Sequence, residues 1–286
     1  MSAKYTIKKI ISLIKFELND YYPLQEINSF IHLIFNHYLN YSKVQIQLKK
    51  DEEISYNLVN QIKTNIKELK SYKPIQYILG KTEFYNLPFI VSPGVLIPRP
   101  ETEELVDWII TENNNHFQKI ADIGTGSGCI AISLAKNLNK AFIYALDNSS
   151  DALSLTRRNS KLNNVEIHIS HFDIFNMQNQ IDEIFDIIVS NPPYVTEKEK
   201  KLMHPNVLNY EPVEALFVPD NDPLIYYRGI INFAQTYLKK GGKLYFEINE
   251  NYGMETAMLL EKKNFYDIQL KKDINEKYRM LRGILN

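Results

Sequence analysis

The residues best suited to chemistry are Asn191, Pro192, Pro193 and Tyr194, directly after the apolar run at 186–190. A proline nitrogen carries no hydrogen, and Pro193 drives the backbone of Pro192 toward an extended conformation. The bend therefore offers acceptors, namely the Asn191 side-chain carbonyl and the Pro192 main-chain carbonyl. Two acceptors match the two N–H donors of a planar amide or aromatic amine. Such a nitrogen is a poor nucleophile because its lone pair is delocalised. Held by both hydrogens and bent toward a tetrahedral geometry, it can be aimed at an activated methyl group. Asn191, Pro192 and Tyr194 are thus the candidate catalytic residues. With Pro193 they form the candidate substrate site, where the Tyr194 ring stacks on the flat face of the substrate. The nitrogen turns acidic only as the methyl transfers, so its proton can pass to water and no general base is required.

The methyl donor needs a cradle of its own. Asp122-Ile123-Gly124-Thr125-Gly126-Ser127-Gly128 lies between a strand-like and a helix-like pattern. Glycines there let the chain turn sharply and bring a ligand against main-chain N–H groups. A nicotinamide fingerprint would need Gly at position 129, where Cys129 stands, so the GxGxG spacing fits S-adenosylmethionine instead. A tight turn without a ligand is the competing reading, and Cys129 reads as a small buried residue of the first helical turn. Asp147, 23 positions after Gly124, ends the second strand pattern and can accept from both ribose hydroxyls. Its other possible role, a helix N-cap, suits Asn148, Ser149 or Ser150 better. In Phe172-Asp173-Ile174, the Asp173 side chain and the next backbone N–H could read adenine, although a surface Asp in a turn looks the same. The candidate cofactor set is Gly124, Thr125, Gly126, Ser127, Gly128, Asp147, Asp173, Ile174 and Asn191.

These loops need elements to hold them. Short apolar runs at 120–123, 142–146, 165–169, 186–190 and 243–248 alternate with helical patterns at 129–138, 151–162 and 224–238, the last closed by Gly241 and Gly242. That alternation predicts a doubly wound α/β sheet, which binds ligands beyond the carboxyl ends of its strands. Ahead of it, Thr102, Glu103 and Glu104 open a helix after a stretch broken by Pro93, Gly94, Pro98 and Pro100. Residues 82–92 suggest two short strands around a turn at Asn86. The first seventy residues read as helices. Ile27, Phe30, Ile31, Ile34, Phe35 and Tyr38 recur at three- and four-residue steps, as do Val59, Ile62, Ile66 and Leu69.

Composition narrows the class. In 286 residues, 44% apolar content with 10 Gly and 12 Pro describes an ordinary globular chain. The single cysteine excludes an internal disulfide, and no apolar run approaches the roughly 18 residues of a membrane span. Lysines near the start, Met1 to Lys9, are not followed by a secretory cleavage pattern. A cytoplasmic protein without membrane attachment is expected. The net charge of −1 speaks against a dedicated nucleic-acid binder, although residues 1–80 carry 11 basic against 7 acidic groups. Of His32, His37, His116, His168, His171 and His204, only His168 and His171 stand at a metal-ligand spacing, and they read as flanking a strand end, so no metal site is expected.

Further stretches extend the pattern: Gln76-Tyr77-Ile78-Leu79-Gly80, Phe84-Tyr85, VSPGVLIPRPETEE at 91–104, and Tyr210-Glu211-Pro212 with Ala215-Leu216. With the glycine loop and Asn191-Pro192-Pro193-Tyr194, the chain resembles the peptide chain release factor glutamine methyltransferases, the PrmC or HemK family. NPPY alone is shared with DNA adenine and RNA guanine methyltransferases, whereas the PRPETEE segment is far more specific. The resemblance implies a Rossmann-like, seven-stranded class I methyltransferase domain at 101–286 whose last strand, near 278–285, is antiparallel. It also implies a small N-terminal helical substrate-recognition domain at 1–73 and a β-hairpin linker at 74–100. The implied reaction carries a methyl from S-adenosylmethionine to the amide nitrogen N5 of the glutamine in the Gly-Gly-Gln motif of release factors. A monomer acting without direct nucleic-acid contact is expected. The alternative is a nucleic-acid amino methyltransferase acting on adenine N6 or guanine N2. The stretch Glu247-Ile248-Asn249-Glu250-Asn251 departs from the family in lacking its usual Gly and Gln after this strand.

Overall fold

The computed structural model describes residues 5–114, 117–176 and 181–286; Met1 to Lys4 and His116 lie outside the described residues. The chain divides into two compact units, Met1–Gly80 with Pro205–Tyr210, and Lys81–His204 with Glu211–Asn286.

In the first unit, α1 (Ile7–Leu18), α2 (Leu24–Leu39), α3 (Lys43–Leu48) and α4 (Tyr56–Lys70) are followed by α5 (Ile75–Leu79). Thr6, Ser42 and Ser55 each accept a backbone N–H from the first turn of the helix they precede, satisfying a donor that has no intrahelical partner. The two periodic stripes bury as their spacing requires: Ile27, Phe30, Ile31, Ile34 and Phe35 pack with Val59, Ile62, Ile66 and Leu69. Residues 74–80, which the sequence reading puts with the hairpin, form α5 and belong to this unit.

The second unit starts with a hairpin, β1 (Lys81–Phe84) and β2 (Leu87–Ile90). Tyr85 and Asn86 turn the chain with φ of 49° and 58°, as a two-residue hairpin loop demands. Then come α6 (Pro100–Asn113), β3 (Gln118–Ile123), α7 (Cys129–Asn137), β4 (Ala141–Asp147), α8 (Ser150–Leu162), β5 (His168–His171) and β6 (Phe185–Ser190). After β7 (Val195–Thr196), a short α9 (Pro205–Leu208) belongs to the first unit. The remainder is β8 (Phe217–Val218), α10 (Ile225–Tyr237), β9 (Leu238–Glu247), α11 (Gly253–Lys262), β10 (Phe265–Lys272) and β11 (Tyr278–Leu285). The central sheet has seven strands in the order β10-β11-β9-β6-β3-β4-β5. Only β11 runs against its neighbours, in keeping with the class I methyltransferase fold that the resemblance implies.

Both faces of the sheet are covered, and the strands show it residue by residue. Leu244 and Phe246 of β9 face the core beneath α10 and α11, with Tyr227, Phe233 and Leu260, while Tyr245 between them faces Trp108, Ile109 and Leu134.

Two expectations need correction. The helix proposed at 224–238 is not closed by Gly241 and Gly242. Leu238 is already extended, with ψ 136°, and begins β9. Phe185 pairs with Leu238 and Ile187 with Lys243, so the glycines form a bulge on β9. Gly241 has φ 76°, and a Cβ on Gly242 would lie 2.7 Å from the Lys239 carbonyl oxygen. The strand expected at 165–169 instead begins at His168. Asn164 turns with φ 53°, and Ser160 holds Val165 at both its N–H and its carbonyl, delaying pairing with β4 until Tyr144 meets His168.

Candidate active site

The glycine loop leaves β3 and enters α7. Gly124, Gly126 and Gly128 have φ of 72°, 56° and 80°, in the region that glycine tolerates best. At Gly128 space is also decisive, since a Cβ would meet the Thr156 methyl carbon at 2.8 Å. α8 fixes the loop from behind. Thr156 Oγ1 donates to the Gly126 carbonyl at 2.9 Å, and Asn159 Nδ2 donates to the Ser127 carbonyl at 2.9 Å. From below, Asp122 Oδ2 accepts from Thr125 Oγ1 at 2.7 Å and from the Ala131 N–H at 3.2 Å. Its Oδ1 is buried without a hydrogen-bond partner among the described residues, and burial pushes this carboxyl up to about 7.

Asp147 closes the loop's outer side. Its Oδ2 accepts the Gly126 N–H at 2.8 Å and its Oδ1 the Ser149 N–H at 2.9 Å, so the carboxylate is aimed before any ligand arrives. Burial raises its pKa, and those backbone donors oppose the rise. The helix N-cap is Ser149, not Asp147. Each Asp147 oxygen retains acceptor capacity for a vicinal diol.

A cavity of about 380 Å³ joins these parts. Gly124, Thr125, Gly126, Ser127 and Asp147 line it, as do Asn191, Pro192 and Pro193. Apolar walls come from Phe172, Ile174, Phe175, Tyr226 and Ile230, suited to a flat ring system. Residues 94–99 and Thr102 also line it, a role not evident from their proline-rich sequence. Its size falls in the range of small-molecule sites, roughly 300–1,000 Å³. The N–H groups of Gly124, Thr125, Gly126 and Gly128 are bonded within the protein rather than left for a ligand, so the loop offers close approach. With a diol acceptor and an apolar slot in the same cavity, it fits an adenosyl cofactor.

Three of the proposed site residues do not line this cavity. Gly128 acts through loop geometry. Asp173 Oδ1 accepts the Phe175 N–H at 2.9 Å, capping the turn that presents Ile174 and Phe175. Tyr194 lies beyond Asn191 and Pro192, on a smaller pocket of about 40 Å³ that those two residues also line, with Arg99, Ala215 and Glu247. Asn191 and Pro192 therefore border both spaces.

The bend is held from several sides. Ser190 Oγ donates to the Ile123 carbonyl at 2.6 Å, tying the ends of β6 and β3. Asn191 Nδ2 donates to Thr102 Oγ1 at 3.2 Å, and Thr102 Oγ1 donates to Glu247 Oε2 at 2.6 Å. The Tyr194 hydroxyl donates to Glu247 Oε1 at 2.9 Å; burial, then the nearby Glu247 charge, keep that phenol protonated. Asn249 Nδ2 donates to the Tyr194 carbonyl at 3.0 Å and also to Glu199, which accepts from Thr196 and Asn251 as well. The atypical stretch after β9 thus clamps the segment that follows the bend. Arg99 pairs with buried Glu211 at 2.7 Å, linking the proline-rich segment to the Tyr210-Glu211-Pro212 motif.

Sequence reasoning missed Thr102, Glu247, Glu199 and Asn249. Thr102 looked like a helix-opening residue and Glu247 like the end of a strand; their signal is a buried polar group, legible only in three dimensions. No group of His, Cys, Asp and Glu among the described residues could hold a metal.

Known proteins match this arrangement. Residues 19–80 match the PrmC N-terminal domain family and residues 102–209 the Methyltransferase small domain family. A release factor glutamine methyltransferase of Flavobacterium psychrophilum is 50% identical, covering 90% of this chain and 92% of that protein. One from Bacteroides thetaiotaomicron is 44% identical, covering 96% and 99%. The chain belongs to the release factor glutamine methyltransferase family. The cofactor of this methyltransferase family, S-adenosylmethionine, is also that of the present chain. Among solved structures, a methyltransferase of Pyrococcus furiosus aligns with TM-score 0.54 at 16% identity, covering 80% of this chain and 98% of that one. The hMettl16 catalytic domain, solved with an RNA hairpin, aligns with TM-score 0.60 at 16% identity, covering 76% and 84%. These two likenesses concern the fold alone and do not favour a nucleic-acid substrate here.

Proposed function

We propose that this chain methylates the side-chain amide nitrogen N5 of the glutamine in the Gly-Gly-Gln motif of peptide chain release factors. The observation that carries the reading is the position of Asn191 and Pro192 between an adenosyl-sized cavity and a pocket of side-chain size, with the Asn191 N–H already engaged by Thr102. S-adenosylmethionine supplies a methyl group on a positively charged sulfur, which needs no further activation.

The chain's own residues do the rest. The loop at Gly124, Thr125, Gly126 and Ser127, shaped by Gly128, receives the cofactor, Asp147 its ribose, and Ile174, on the turn that Asp173 caps, its base. Asn191 Oδ1 and the Pro192 carbonyl take the two N–H groups of the glutamine carboxamide, and Pro193 and Tyr194 shape the slot around it. Holding both hydrogens turns the nitrogen lone pair toward the methyl and replaces a chance encounter with a fixed approach. The nitrogen's proton leaves to water once the bond forms. The unit formed by residues 1–80 recognises the release factor, and the methyltransferase unit that begins with the hairpin at Lys81 carries out the transfer. The protein works as a cytoplasmic monomer without binding nucleic acid directly. Against direct nucleic-acid binding stand the net charge of −1 and the absence of arginine from residues 1–80, and no helix among the described residues is long and apolar enough to cross a membrane.

Labelled S-adenosylmethionine incubated with the protein and a release factor will label the factor. A Gln→Ala change in its Gly-Gly-Gln motif will abolish the label. Label persisting in that variant, or going preferentially to DNA or rRNA, refutes the assignment.

A further inference from the structure

Glu247 and Thr102 are each only 1% exposed, and the hydrogen bonds that link them to Asn191 have a fixed direction. The 2.6 Å contact runs from the Thr102 hydroxyl to Glu247 Oε2 and takes the single hydroxyl proton of Thr102. Thr102 Oγ1 is left as an acceptor, and it accepts the Asn191 Nδ2–H. The other Glu247 oxygen accepts the Tyr194 hydroxyl proton, so both carboxylate oxygens are engaged by donors that fix the carboxylate's orientation. Burial raises the Glu247 pKa, but Thr102, Tyr194 and the nearby Arg279 guanidinium favour the charged form. Arg279 is itself anchored, its Nε to Asp273 at 3.2 Å and its NH1 to the Ile248 carbonyl at 3.3 Å.

We infer that Glu247, acting through Thr102, sets which end of the Asn191 amide meets the substrate, with nitrogen to the wall and oxygen to the site. The two ends of an asparagine amide have nearly the same shape, and only their hydrogen-bond partners distinguish them. With this polarity the site accepts from a carboxamide NH2 and repels a carboxylate. Reversed, Asn191 would present N–H groups to N–H groups, and a glutamate would bind as readily as a glutamine. Thr102 and Glu247 are thus positioning residues that determine specificity, a role that rests on the glutamine substrate proposed above.

The test is binding without turnover. A release factor carrying Gln, Glu or Ala at its methylation position is titrated into the full-length protein saturated with S-adenosylhomocysteine. The unaltered protein should prefer the Gln form. Thr102→Val, which keeps the shape and removes the hydroxyl, should lower the Gln-to-Glu affinity ratio about tenfold. Affinity for S-adenosylhomocysteine should stay within about threefold, and Thr102→Ser should retain the preference. Glu247→Gln, which can face Thr102 with either its oxygen or its nitrogen, should lower the ratio by itself and lower it no further in the Thr102→Val background. A Gln preference that both substitutions keep overturns the relay alone. Equal losses in Thr102→Ser and Thr102→Val overturn it too, because the hydroxyl would then not be what matters. Equal binding of the Gln, Glu and Ala forms by the unaltered protein contradicts the glutamine reading itself.

Discussion

Asn159 offers a sharp test of how the glycine loop is held. This α8 residue is fully buried and makes three hydrogen bonds to backbone: its Oδ1 accepts the Ile90 N–H at 2.7 Å, and its Nδ2 donates to the Ile90 carbonyl at 3.0 Å and the Ser127 carbonyl at 2.9 Å. It therefore joins the hairpin to the cofactor loop. Asn159→Ala strands three backbone groups, each costing about 1 kcal/mol net or more when left unpaired, and adds a small cavity. The expected loss is about 3–5 kcal/mol, or on the order of 10 °C in Tm for a domain of this size. Trp108, the single tryptophan, is buried in the same unit, so its fluorescence during urea unfolding reads the change directly. Loss of the Ser127 restraint should also weaken S-adenosylmethionine binding about tenfold by calorimetry. Asn159→Asp should be worse than Ala at pH 8, because a carboxylate would face two carbonyls. Its folded-state pKa would be raised, so part of its stability should return as the pH falls and the group protonates. A loss below about 1 kcal/mol in Asn159→Ala with unchanged cofactor affinity would refute the reasoning.

Acid stability should depend on Glu112. Burial raises its pKa, but hydrogen bonds from Tyr245, Trp108 and Arg282 outweigh that and hold it down to about 2. A depressed folded pKa contributes stability above the ordinary value of 4.5 and loses it as the pH falls toward 2; the full contribution is about 3 kcal/mol. Glu112→Gln should remove most of that pH dependence in urea titrations between pH 6 and pH 3, and an unchanged pH slope would contradict it.

The sheet and its ligand end were legible because strand runs such as 120–123 and 186–190 are short, apolar and followed by punctuating residues. The helical stripes of α2 and α4 were legible from three- and four-residue spacing. What failed was local. Gly241 and Gly242 carry the composition of a helix cap, yet α10 ends earlier because Leu238 is taken up by pairing with β6. In the site, the glycine loop and Asn191 announce themselves by composition. Thr102 and Glu247 do not, being 145 positions apart and informative only once folding buries them together. Asn249, visible only as a departure from family pattern, is the buried group that holds the Tyr194 carbonyl.

The central claim is that Asn191 positions the nucleophile more than it binds the cofactor. Kinetics and calorimetry of Asn191→Ala, with a release factor as substrate, test it most directly. The account predicts a fall in kcat of about 100-fold or more with S-adenosylmethionine affinity changed less than about threefold. Equal losses in turnover and cofactor affinity would contradict it.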